Sequence, residues 1–154
     1  GERPDVSGPA LAQAVAALGW RLVETRVLPD DLDSLIGQLV AWADAGNLDV
    51  ILTCGGTGFS PRDVTPEATL AVIDRQAPGL AEAMRAESIK ITPHAMLSRA
   101  TSAVRKRTLI INMPGSPKAC REHFAVIAPA LPHAVETLRG EAYECATPSA
   151  GGSR

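Results

Sequence analysis

Apolar positions along the chain follow two rhythms, one helical and one extended. Leu11, Val15 and Leu18 recur at three- and four-residue steps behind Ser7-Gly8-Pro9 and predict a helix that Gly19 ends. From Trp20 to Leu28 apolar and polar residues alternate, which predicts a strand. Leu32, Leu35, Ile36, Leu39, Val40 and Ala43 form a continuous helical stripe between Pro29-Asp30-Asp31 and Gly46-Asn47. Val50–Cys54 is a short apolar, β-rich run of the kind that makes a buried parallel strand. A helix is expected from Thr65 to about Gln76, and another after Pro78-Gly79, with Leu80, Ala83, Met84 and Glu87 on successive turns. Ile89–Pro93 reads as a connector, Ser98–Val104 as a β segment, Arg105-Lys106-Arg107 as a solvated turn and Thr108–Met113 as a strong strand. Cys120, Phe124, Ile127, Leu131 and Val135 make a last core stripe that Pro129 and Pro132 should kink or break. This alternation predicts an α/β domain whose parallel sheet is covered on both faces.

A doubly wound domain normally opens on a strand, and that strand is usually central. The chain opens on a helix instead, so a strand before Gly1 is expected, without which ladder groups would be buried unpaired. Residues 1–140 read as one domain with no internal repeat or linker. Past Gly140 the composition turns to Ala, Thr, Pro, Ser and Gly, and 141–154 is expected to be a flexible tail, disordered from Thr147 to Arg154.

Composition narrows the function. With 15 basic against 17 acidic residues and 3% aromatics, the chain has neither the basic surplus nor the stacking platform of a nucleic-acid binder. No apolar run approaches a membrane span. Cys54, Cys120 and Cys145 show no C-x-x-C spacing, and His94, His123 and His133 are not at ligand spacing with them or with each other. The expectation is a soluble cytoplasmic protein.

The candidate chemistry sits where strands feed helices. Gly55-Gly56-Thr57-Gly58 follows the strand at Cys54, and Thr65-Pro66-Glu67 reads as a helix start with Thr as N-cap. Strand, glycine turn, polar loop and helix N-terminus is an arrangement that holds phosphate. It is neither a G-x-G-x-x-G nor a P-loop, and four glycine-turn letters alone would equally suit a plain tight turn. Asp63, between the two anion-attracting parts, would repel phosphate unless a divalent cation intervened, which makes it a candidate Mg²⁺ ligand. An ion pair with Arg62 is the competing role. A second junction, Asn112-Met113-Pro114-Gly115-Ser116-Pro117-Lys118, offers Ser116 as N-cap and another anion site, with Lys118 close by or merely solvated. Asp30 lies on a loop after a strand and is also a natural N-cap for a helix beginning at Asp31. Ser98 and Arg99 could be ordinary strand-edge polar residues. Two carboxylates beside two phosphate sites suggest Mg²⁺-assisted phosphoryl or nucleotidyl transfer.

The string Gly55-Gly56-Thr57-Gly58-Phe59-Ser60-Pro61-Arg62-Asp63-Val64-Thr65-Pro66-Glu67-Ala68-Thr69 resembles the signature of the molybdopterin adenylyltransferase family (MogA/MoaB-like proteins). Asp5-Val6-Ser7-Gly8-Pro9, Pro29-Asp30, Pro78-Gly79-Leu80, Thr92-Pro93, Ala95-Met96-Leu97-Ser98-Arg99 and Thr108 through Pro117 extend the likeness in order along the chain. The resemblance implies a three-layer α/β/α fold with a mostly parallel sheet. It also implies transfer of AMP from Mg-ATP to the terminal phosphate of molybdopterin, with pyrophosphate leaving. The family's two essential aspartates fall on Asp30 and Asp63. Its pterin-phosphate and nucleotide contacts fall on Gly55–Gly58, Ser98 and Pro114-Gly115-Ser116. A homotrimer is implied, as is hand-off of the product to a molybdate insertase.

Two other functions fit the same string. One is a pterin carrier or a scaffold domain as in gephyrin, although a carrier would not need two negative charges near phosphate. The other is an enzyme of the same fold with different chemistry. The insertase, however, needs large extra domains, and pyridine-nucleotide-processing relatives replace the residue that is Thr57 here.

Overall fold

The computed structural model describes residues 7–141. The Asp5-Val6 pair, Cys145, the expected leading strand and the expected tail beyond residue 141 lie outside the described residues. Among the described residues, no helix is long and apolar enough to cross a membrane.

Six α-helices and four strands follow in the order α1 (Ser7–Ala17), α2 (Leu32–Asp44), β1 (Val50–Cys54), α3 (Thr65–Val72), β2 (Arg75–Gln76), α4 (Gly79–Ile89), β3 (Ser102–Arg105), β4 (Thr108–Met113), α5 (Pro117–Ile127) and α6 (Leu131–Leu138). A 3₁₀ turn at Pro93–Leu97 leads toward β3, and another at Ala128–Ala130 joins α5 to α6. The sheet order is β1-β4-β3-β2. The two longest strands, β1 and β4, run parallel in the register Val50–Leu109 to Cys54–Met113, and the shorter β3 and β2 extend the sheet antiparallel.

Strand β4 is buried at all six positions, as its apolar run requires. Leu109, Ile111 and Met113 face the core shared with α1, α4, α5 and α6, whereas Ile110 faces Leu39 and Ala43 of α2 and Ala68 and Val72 of α3. The result is three layers, α/β/α. Each fully buried leucine or isoleucine contributes roughly 1.5–3 kcal/mol to that packing. The last helix breaks where the prolines predict. α5 ends at Ile127 and Ala128 precedes Pro129, which has no N–H to continue the ladder.

Several expectations need correction. Trp20–Leu28 forms no strand among the described residues, and Leu22, Val23 and Val27 are exposed. Alternation records which side chains could face a core, but a strand exists only where a neighbour supplies the backbone partners. The segment is tied to the body by Trp20, which packs against the core and donates its main-chain N–H to Val15 O at 3.3 Å, and by a bond from Trp42 Nε1 to Glu24 Oε2 at 3.0 Å. α3 stops at Val72, four residues early, because Arg75 and Gln76 are taken by β3. The β segment expected from Ser98 begins at Ser102. Arg105 is not solvated: its guanidinium holds both Asp44 oxygens, at 2.9 and 3.0 Å, and the Val72 carbonyl at 2.6 Å.

Candidate functional site

The two glycine turns meet. Parallel pairing brings the ends of β1 and β4 to the same edge, and Gly55 N donates to Met113 O at 2.9 Å. A Cβ on Gly55 would stand 3.6 Å from the Gly115 Cα, and a Cβ on Gly115 would stand 3.6 Å from that of Gly55. Gly55 and Gly56 have φ of +83° and +69°, a region that favours glycine. At Gly56 a methyl group would strike Thr65 Oγ1 at 2.2 Å, so this turn can be built only without a side chain. The Gly56 carbonyl accepts from Thr65 N at 3.1 Å and sets the turn against the start of α3. Thr65 is the first helical residue and Val64 occupies the N-cap, one position earlier than the sequence suggests. At the second turn Ser116 caps α5 as expected, its hydroxyl accepting from Ala119 N at 3.1 Å. Ser7, the first residue of α1, donates its hydroxyl to Gly115 O at 2.6 Å. The N-termini of α1, α3 and α5 therefore border one surface, and each contributes partial positive charge there.

Asp63 is half-buried on the loop between the glycine turn and α3, and the competing ion pair with Arg62 does not form among the described residues. Its Oδ2 accepts from Ser60 N at 2.9 Å and lies 2.9 Å from where a Cβ on Gly58 would sit, while Oδ1 has no hydrogen bond among the described residues. Asp30 is exposed, and the capping role falls to Asp31, which accepts from Ser34 N at 2.9 Å and Ser34 Oγ at 2.7 Å. These hydrogen bonds hold the Asp31 carboxyl below its ordinary pKa. Asp30 makes no hydrogen bond or ion pair among the described residues, and no contact joins it to Asp63. No group of three or more His, Cys, Asp or Glu side chains gathers among the described residues. A magnesium ion carried by one or two carboxylates and the substrate's phosphates does not need such a cage, so the donor set fits.

Ser98 sits at the end of the 3₁₀ turn, with its carbonyl accepting from Arg85 Nη1 at 3.0 Å. The Ser98-Arg99 step abuts the glycine loop, since Arg99 N donates to Thr57 O at 2.8 Å. Lys118 is exposed on the first turn of α5, its Nζ 3.9 Å from Glu122. The sequence reading missed Arg99 as more than a strand-edge residue. It also missed Asn112, whose side chain is fully buried. Asn112 donates from Nδ2 to Thr53 Oγ1 at 3.1 Å and Thr69 Oγ1 at 3.0 Å, and accepts from Thr101 N at 3.1 Å. It thereby ties the last turn of β1 to α3 and to the segment after Arg99. An asparagine inside an apolar strand was the available signal, because a buried amide needs partners.

Two concavities lie elsewhere: about 400 Å³ between α4 and α5 around Met84, Lys90 and His123, and about 440 Å³ around Leu80, Val104 and Leu138. Burial lowers the pKa of His123 in the first. Neither is lined by Gly55–Gly58 or by Pro114-Gly115-Ser116.

An α/β domain with two abutting glycine turns, each feeding a helix N-terminus, has the arrangement that can hold a phosphorylated ligand at a sheet edge. Residues 1–133 match the family model described as "Probable molybdopterin binding domain", and the chain belongs to that family. It is 37% identical over 138 residues to a molybdopterin adenylyltransferase of Helicobacter pylori, covering 88% of this chain and 78% of that protein. It is 45% identical over 138 residues to the molybdenum cofactor synthesis protein cinnamon of Drosophila melanogaster, covering 87% of this chain but only 22% of the fly protein. Among solved structures, the molybdopterin biosynthesis enzyme MoaB of Thermus thermophilus superposes with a TM-score of 0.84 at 45% identity, covering 90% of this chain and 87% of that one.

Proposed function

We propose that this chain is a molybdopterin adenylyltransferase acting in molybdenum cofactor biosynthesis, transferring AMP from ATP to the terminal phosphate of molybdopterin. The observation that supports this most is the contact between Gly55 and Gly115, which sets two anion-attracting turns side by side. In the reaction an oxygen of the pterin phosphate bonds to the α-phosphorus of ATP. The bond from that phosphorus to the α,β-bridging oxygen breaks, and pyrophosphate leaves.

The backbone N–H groups of Gly56, Thr57 and Gly58 donate to no protein acceptor among the described residues and would hold one phosphate chain. Pro114-Gly115-Ser116, with Ser98 and Lys118, would hold the other. Holding two polyanions in line is most of what such a transfer asks of a protein. Asp63 and Asp30 would carry Mg²⁺, which supplies charge neutralisation between the phosphates. Assembly as a homotrimer and delivery of the product to a molybdate insertase belong to the same reading.

The test is pyrophosphate release by purified protein given molybdopterin and Mg-ATP. Asp63→Asn is expected to lower kcat at least about 100-fold while molybdopterin still binds. Tight molybdopterin binding with no turnover in the unaltered protein would replace the enzyme by a carrier. No binding and no turnover would end the proposal.

A further inference from the structure

We infer that Arg99 is a positioning residue which aims the amides of the first glycine turn at the ligand without touching the ligand itself. The inference rests on the reading of that turn as a phosphate site.

Arg99 reaches backward to three points of the loop and to Glu67 in the first turn of α3. Its main-chain N donates to Thr57 O at 2.8 Å, Nε to Gly58 O at 2.7 Å and Nη2 to Asp63 O at 2.7 Å, while Nη1 donates to Glu67 Oε2 at 2.5 Å. Three of these acceptors are backbone carbonyls of one loop. Every peptide here is trans, so carbonyl and amide of one unit point in opposite directions. The N–H groups of Gly58, Phe59 and Val64 therefore point away from Arg99. None of them donates to a protein acceptor among the described residues. A loop with three carbonyls gathered on one side presents the amides of those three peptides on the other, and amides are what an anion binds.

The chemistry of the side chain supports a role behind the loop. A guanidinium offers a rigid planar fork of donors that can serve three separate acceptors at once, which an ammonium on a flexible stem cannot reproduce. Its charge is already matched by Glu67: their hydrogen bond raises the Arg99 pKa and lowers that of Glu67. A cation so paired is a poor counter-charge for a second anion. Asp63 gains as well, because its own carbonyl is one of the gathered three.

The test uses the ¹⁵N-labelled full chain titrated with inorganic pyrophosphate. In the unaltered protein the Gly58 and Phe59 amide signals are expected to shift saturably while the Arg99 Nε–H signal stays still. In Arg99→Lys, which keeps the charge, affinity for pyrophosphate should fall about tenfold or more. Amide exchange should rise at Ser60, Asp63 and Thr65, whose N–H groups are hydrogen-bonded within the loop, with exchange elsewhere and the melting temperature near those of the unaltered protein. Arg99→Lys binding within twofold of the unaltered chain would overturn the inference. So would an Arg99 Nε–H signal that moves more than the amides, a readout that stands even if the variant does not fold. A chain that binds no pyrophosphate at this turn overturns it too. If pyrophosphate binds and the variant behaves as expected but no pyrophosphate is released from Mg-ATP and molybdopterin, the positioning role stands and the adenylyl transfer falls.

Discussion

Asn112 shows how a single side chain can hold a site it does not enter. Its amide satisfies three partners from three segments, and it is completely shielded from solvent. Asn112→Leu fills nearly the same space but leaves the Thr101 N–H and two threonine hydroxyls to find other partners. Stability is expected to fall by about 2–4 kcal/mol, because each buried group left unpaired costs roughly 1–3 kcal/mol. Urea unfolding measures this, and a loss under about 0.5 kcal/mol, the scale of an ordinary surface change, would mean that the network is not shielded in solution. The sequence makes Asn112 visible only as a misfit in an apolar strand. Its partners, 59 and 43 residues away, are not visible.

At the scale of elements, the start of α5 separates two roles that one residue could play. Ser116 caps the helix and lies in the turn assigned to an anion. Ser116→Ala should lower stability by about 1 kcal/mol through the lost cap. Ser116→Asp restores a cap and favours the helix dipole, so it should retain stability yet repel a bound phosphate. Thermal unfolding of both variants, set beside their pyrophosphate affinity, tells capping from binding. An aspartate variant that binds as well as the unaltered chain would remove Ser116 from the site. The cap itself was legible, since Ser-Pro before an apolar stripe is a local signal. The position of Thr65 was legible only to within one residue. Val64 stands at the cap because the Gly56 carbonyl takes the Thr65 N–H, a contact that no local rule contains.

Across the whole molecule, the far end of the sheet is tied by ion pairs. The Arg105 guanidinium, aided by Lys106, lowers the Asp44 carboxyl to about 2. A carboxyl of the unfolded chain titrates near about 3.9. Because the folded value is the lower one, this pair stabilises the protein at pH above the unfolded value. That stabilisation is lost as pH falls from about 4 through about 2. The melting temperature should drop across that window, and Asp44→Asn should lower it at pH 7 while flattening the drop. An Asp44→Asn chain with an unchanged acid profile would show that the pair does not form in solution. High salt should weaken the effect only in part, since Arg105 is largely shielded.

What the sequence determined by itself is whatever depends on near neighbours. Periodicity placed the helices and the two long strands, proline marked the break after α5, and glycine ahead of a helix start marked the two turns that the structure sets side by side. The resemblance carried by the glycine string agrees with the family that residues 1–133 match. The tertiary structure decided which pieces meet. Parallel pairing of β1 with β4 put Gly55 beside Gly115, sixty residues apart in number. The same packing turned Arg99 from a strand-edge residue into the holder of the loop at Gly58 and Asp63, and left Trp20–Leu28 without a ladder among the described residues. The physical reason is range. Side-chain period and capping act over a few residues and can be read from order alone, whereas hydrogen bonds between distant segments exist only once the layers have stacked.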